Sequence, residues 1–278
     1  MPNSVSRRWV RMALPRSGAT LPDSARCASR VRRGRDSLAA PVETLHPCVR
    51  ARMRGSFEGG QSGAGAHAMW TTVDDRGRET LDYIAGEVAV PPFPAWSADL
   101  ELLVSVAALQ RAAHRAVQAF RPGEGWTWGG VAPPSRFAGR LVCHNDICVE
   151  NVVVRGGQAV AFIDWDWARP VDRLWDIAVA ARHWIPLCDP MDIDEHRSTL
   201  DVLARCQVFF DEHQLGIEQR RRVIDALLEF LDGGLVFVRK QAEAGHPGHR
   251  QQWDAGYAEA NRRAHAWITA HRGRLSGA

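Results

Sequence analysis

A chain of 278 residues, 45% hydrophobic and 24% charged, has the balance of a globular protein and the length for two modest domains. No apolar run approaches the ~18 residues of a membrane-spanning helix, and no apolar segment of ~7–15 residues follows the Arg-rich start. Neither a membrane partner nor a secretory signal is therefore expected. Cys27, Cys48, Cys143, Cys148, Cys188 and Cys206 form no C-x-x-C pair, so the expectation is reduced thiols in a cytoplasmic protein without structural zinc.

In chain order, residues 1–66 differ from the rest. They are rich in Arg, Ser, Gly and Pro and hold no periodicity for any distance. Residues 1–70 carry twelve arginines against four acidic residues. A basic tail can meet nucleic acid, but no aromatic platform or binding motif accompanies this one, and no nucleic-acid partner is expected. Two origins stay open for residues 1–66. They are disordered, or they are the start of a GC-rich gene translated in the wrong frame. Residues 67–88 read as a β-hairpin and hinge, with MWTTV and RETLDYI joined by DDRG.

Residues 89–278 read as one mainly helical lobe. A helix is expected from Ser97 through Phe120, where Leu103, Val104, Ala107 and Leu109 give an apolar face and Pro122-Gly123 ends it. Further helices are expected at 174–185, 195–213, 218–243 and 254–271. ALLEFLDGGLVFV (226–238) is apolar nearly all round, which predicts burial, with Gly233-Gly234 as a kink or a point of close approach.

Between these helices lies CHNDICVEN (143–151), followed by VVV, RGGQ and AVAFID (152–164). The two apolar runs and Gly156-Gly157 predict a tight hairpin. Folding about the Gly-Gly bond sets position 151 opposite 162. The alternation of side chains then puts Asn151 and Asp164 on one face, roughly 7–8 Å apart. An amide oxygen and a carboxylate at that separation suit Mg²⁺, which takes oxygen ligands at ~2.0–2.1 Å. A bulge would break this parity. Asp146 reaches the same space, and a carboxylate there could orient a hydroxyl and accept its proton.

H-x-D with Asn five residues on, a hairpin, then Ile163-Asp164-Trp165 resembles the catalytic core of the aminoglycoside phosphotransferase family. That family is similar to choline kinases and, more distantly, to protein kinases. RPVDRLWDIA (169–178) resembles the family's G-D-P-x-x-D-L-A segment, and Asp172 and Asp176 there read as structural anchors. The resemblance covers roughly residues 70–272. It implies an α+β, protein-kinase-like two-lobe fold with a reduced or atypical N-terminal lobe and a mainly helical C-terminal lobe. It implies Mg·ATP-dependent transfer of the γ-phosphoryl group to a hydroxyl of a small molecule. Asp146 would be the catalytic base, His144 would buttress its loop, and Asn151 and Asp164 would bind Mg²⁺. Asp82, Tyr83 and Ile84 would meet the adenine of ATP.

The sequence departs from that family in one respect. Lys240 is its only lysine, so none stands where the N-terminal lobe usually supplies one to the nucleotide phosphates. That departure keeps a second reading open, an inactive kinase-like binding or immunity-type protein. The acidic stretch 188–214 could attract a polycationic, aminoglycoside-like acceptor, or could be a solvated helix face. Asp166 reads as a neighbour of Asp164, and Trp165 and Trp167 as packing residues.

Overall fold

The computed structural model describes residues 70–73, 79–81, 84–122, 126 and 128–277. The expectations for residues 1–66, for the turn at 74–77 and for Asp82 and Tyr83 lie outside the described residues. The described residues open with an antiparallel pair, β1 (Trp70–Val73) and β2 (Glu79–Leu81). Next come α1 (Leu100–Ala116), β3 (Leu141–Cys143), β4 (Val152–Arg155), β5 (Gln158–Phe162) and β6 (Arg169–Val171). The rest is helical: α2 (Arg173–Trp184), α3 (Val202–Glu212), α4 (Ile217–Glu243), α5 (Pro247–Asp254) and α6 (Tyr257–Ser276). This is the mixed α+β arrangement expected of a kinase-like chain, with small antiparallel sheets and a larger helical C-terminal part.

Helix α1 starts later than its apolar pattern suggests. Residues Ala95–Ala98 form a 3-10 turn, and Asp99 is extended (ψ 135°), so the α-helix opens at Leu100. Leu102, Leu103, Val106, Ala107, Leu109 and Ala113 bury one face at three- and four-residue spacing. Gln110 and His114 are buried on the same helix. Helix α2 is capped by Asp172, whose carboxylate accepts from the Leu174 N–H at 3.0 Å, and is buried almost throughout. Its Trp175 and Trp184 are fully buried in the core, as are Phe209 and Phe210 of α3.

Three helical expectations need correction. The helix predicted from 195 starts at Val202, because the Asp201 carboxylate caps the Leu203 and Ala204 N–H groups at 3.1 and 3.0 Å. The helix predicted over 254–271 starts at Tyr257, because Gly256 has a φ of 89° that a helix cannot hold, and a further short helix, Pro247–Asp254, precedes it. Helix α4 is not buried all round: Val236 is 68% exposed. Its Gly233-Gly234 pair leaves the helix continuous and admits close neighbours. A Cβ on Gly234 would meet the Tyr257 hydroxyl at 2.9 Å, and one on Gly233 would meet Val131 at 2.9 Å.

The β4–β5 hairpin turns at Gly156-Gly157, both with positive φ. Its register differs from the simple fold-over. Val152 pairs with Phe162, and a bulge falls between Val153 and Val154, so the skipped residue shifts the pairing by one. Asn151 therefore stands opposite Ile163, whose N–H donates to its carbonyl at 2.9 Å. Glu87 bridges to Val154 through two backbone hydrogen bonds of 2.7 Å, laying the segment after Ile84 along β4.

Candidate functional site

The loop 144–151 leaves β3 and enters β4, and its polar groups are fixed from below. His144 is 2% exposed, and burial holds its pKa below the ordinary value. The neutral ring is used at both ends. Nε2–H donates to the Ile163 carbonyl at 3.0 Å, and Nδ1 accepts the Asp146 N–H at 3.2 Å. Phe162 and Trp165 pack on the ring, with centroids 5.9 and 4.6 Å away. His144 thus bridges the Asp146 backbone to the residue before Asp164.

Asn145 takes a left-handed conformation (φ 60°), which turns the chain so that Asp146 stands apart from the core. The turn is held by Asp176 on α2, whose Oδ1 accepts the Asn145 N–H at 2.6 Å. Its Oδ2 accepts from Gln110 Nε2 and His114 Nε2, both at 2.7 Å. Burial raises the Asp176 carboxyl, but the His114, Gln110 and Asn145 donors together bring it below its ordinary value. Asp176 therefore anchors the loop of Asp146, as well as standing on the helix it was expected to anchor. Gln110 and His114 gave no sign of this in the sequence, beyond being polar residues at four-residue spacing on an apolar helix face.

Asn151 is brought against Asp146. Its Nδ2 donates to the Asp146 carbonyl at 2.9 Å and to the Asp146 carboxylate at 3.0 Å. Using both amide hydrogens on Asp146 turns the Asn151 Oδ1 away from it, where it can serve as an oxygen ligand. Asp164 does not reach this region by strand alternation, as the bulge precludes that. It leaves β5 in a left-handed conformation (φ 62°, ψ 65°) and opens the 3-10 turn Trp165–Trp167. Cys148 lies under the influence of both carboxylates. Burial first, and then Asp146, Glu150 and Asp164 among its neighbours, push its thiol well up. A hard divalent cation could take the Asn151 oxygen and the Asp164 carboxylate, as these donors are all oxygens.

Trp165 is buried, with its indole N–H on the Phe162 carbonyl at 3.2 Å. Trp167 packs edge-on to Phe237 at 5.6 Å, and Gly130 lies against its ring. Both act as packing, as expected. Ile84 is half-buried and precedes the Glu87–Val154 bridge. The acids of 188–214 are mostly engaged within the fold. Asp192 takes Arg263 through two hydrogen bonds of 3.0 and 2.6 Å, Asp211 pairs with Arg220, and Glu212 with Arg111. Asp194 pairs with Arg197, and Asp189 and Asp201 cap turns of helix. Four of the seven acids in the stretch are thus paired with arginines, and two more cap backbone N–H groups.

A small antiparallel β1–β2 pair, the loop Asp146–Asn151 between β3 and β4, and the mainly helical part that follows are the arrangement of a kinase-like chain. The sequence pattern of the phosphotransferase enzyme family matches residues 89–209. The chain is 30% identical over 216 residues to the trifolitoxin immunity protein of Rhizobium leguminosarum bv. trifolii, covering 75% of this chain and 79% of that protein. It shares its fold with a choline/ethanolamine kinase family protein from Mesorhizobium loti. That match has a TM-score of 0.51 at 15% identity, over 88% of this chain and 91% of the other. The chain belongs to the phosphotransferase enzyme family.

Proposed function

We propose that this protein is an immunity-type member of the family, which protects its producer by binding a toxic compound through the kinase-like fold. The observation that carries this reading is the 30% identity across 79% of an immunity protein. The lysine count supports it: in this sequence no lysine precedes Lys240, so none is available to hold nucleotide phosphates from an N-terminal strand. The direct test is calorimetric titration of the purified chain with trifolitoxin in the absence of nucleotide. Saturable binding supports the reading; no heat at any accessible concentration removes it.

A second reading is favoured by the hydrogen bonds of 2.9 and 3.0 Å that tie Asn151 to Asp146. Under it the chain is a Mg·ATP-dependent small-molecule phosphotransferase. Asp146 accepts the proton of the attacking hydroxyl, and Asn151 and Asp164 hold Mg²⁺. The bound ion would neutralise phosphate charge. Asp82, Tyr83 and Ile84 receive the adenine. Its test is thermal unfolding with ATP or GTP, with and without Mg²⁺. Nucleotide at ~100 times its Kd adds about 2.7 kcal/mol to the folded state. A Mg²⁺-dependent rise that Asp164→Ala abolishes supports this reading, and no rise with either nucleotide removes it.

A further inference from the structure

Beneath the loop, and apart from Asn151 and Asp164, lies a small chamber, mostly apolar but with a few polar groups at its wall. A cavity of about 10 Å³ is lined by Gln110, His114, Cys143, His144 and Asp176 together with apolar side chains. That is the space of one water-sized body. Gln110 is 0% exposed, His114 6%, Cys143 2% and Asp176 1%.

The hydrogen bonds in this chamber are one-sided. Asp176 Oδ2 takes the donor end of both Gln110 and His114. The acceptor end of each is left over: Gln110 Oε1 and His114 Nδ1 are buried with no hydrogen-bond partner among the described residues. Two orphaned lone pairs in a core are costly, since each forfeits its solvation. Ligand atoms of His114, Cys143 and Asp176 all lie within 4.8 Å of one another. A histidine that donates one ring N–H to a carboxylate and keeps its other nitrogen bare is arranged as a metal-binding histidine is. Sulfur beside nitrogen selects a borderline-soft cation over Mg²⁺.

We propose that this chamber binds one thiophilic divalent cation of the zinc class, through Cys143 Sγ, His114 Nδ1 and Gln110 Oε1, with Asp176 orienting His114 and Gln110. Entry of the cation releases the Cys143 thiol proton, and thiolate plus Asp176 carboxylate then balance its charge. Because binding releases a proton, affinity rises with pH. The site is invisible to cysteine spacing, because its ligands come from α1 and from the end of β3. Its role would be to lock α1, α2 and the Asp146 loop to one another.

The test uses the full chain, stripped with chelator and titrated with Co²⁺, then with Zn²⁺ in competition. The expected result is one equivalent of Co²⁺ with a near-ultraviolet thiolate-to-cobalt band. The band persists in Cys148→Ser and disappears in Cys143→Ser, and Asp176→Asn weakens binding roughly 10–100-fold. No band in the wild type, meaning that water alone fills the cavity, overturns the proposal. So does a band that survives Cys143→Ser. If Cys143→Ser does not fold, a variant with Ser at positions 27, 48, 148, 188 and 206 decides: a retained band supports the site, and a lost band overturns it.

Discussion

Replacing Asp176 by alanine removes the acceptor of three buried donors at once: Gln110 Nε2, His114 Nε2 and the Asn145 N–H, at 2.7, 2.7 and 2.6 Å. Each orphaned buried donor costs ~1–3 kcal/mol, and loss of one partner from a buried charged network costs ~3–5 kcal/mol. The small chamber beside Asp176 allows some relaxation, so about 4 kcal/mol is expected for Asp176→Ala. Asp176→Asn keeps the shape, and Gln110 and His114 can reverse their polarity to meet its amide, so roughly half that loss is expected. The assay is urea unfolding in the presence of chelator, so that no cation contributes. With a slope near ~2 kcal/mol/M, the alanine variant's midpoint falls by about 2 M. A fall of less than about 0.5 M, or an asparagine variant worse than alanine, would refute the claim that Asp176 carries this network.

Three further outcomes follow from the same geometry. Burial first, then Arg182 and Arg197, push His183 down to about 3, and burial likewise lowers His144 and His213. The unfolded chain takes up protons on these rings near pH ~6.5 and the folded chain does not, so stability falls as pH drops from about 6.5 towards 3. A urea midpoint that holds steady or rises between about pH 7.5 and about pH 5 would contradict this. Gly139→Ala would drive a Cβ into the Val171 carbonyl at the β3–β6 pair, and a loss of ~1–3 kcal/mol in urea unfolding is expected. If the chain transfers phosphate, Asp146→Asn lowers turnover by ~10²–10⁴ while nucleotide-dependent thermal shifts persist; near-normal turnover in that variant would remove Asp146 as the base.

Much of this fold is local and was readable. The apolar spacing on α1, the Gly156-Gly157 turn and the order of Asp146, Asn151 and Asp164 all come from short-range pattern. What escaped depends on single backbone events or on distant partners. The bulge after Val153 changes the hairpin register without any glycine or proline to mark it. Asp201 truncates α3 by capping two N–H groups that helical periodicity would have assigned to its interior. Gly256, with its positive φ, sets the start of α6 at Tyr257, and the short α5 before it is not among the helices expected from the sequence. The Asp176 network joins residues 66, 62 and 31 positions apart, beyond the reach of any motif. The acidic stretch 188–214 has the composition of an open wall, and its pairing with the distant Arg111, Arg220 and Arg263 is visible only in the tertiary structure.

The central claim, immunity by binding, is tested most directly in cells. A trifolitoxin-sensitive strain would express the wild-type chain or Asp146→Asn at matched levels and be grown across a range of toxin. The account predicts raised tolerance, and equal tolerance from the two proteins. No gain with the wild type would contradict the immunity reading, and a gain lost in Asp146→Asn would contradict binding alone and transfer the role to phosphoryl transfer.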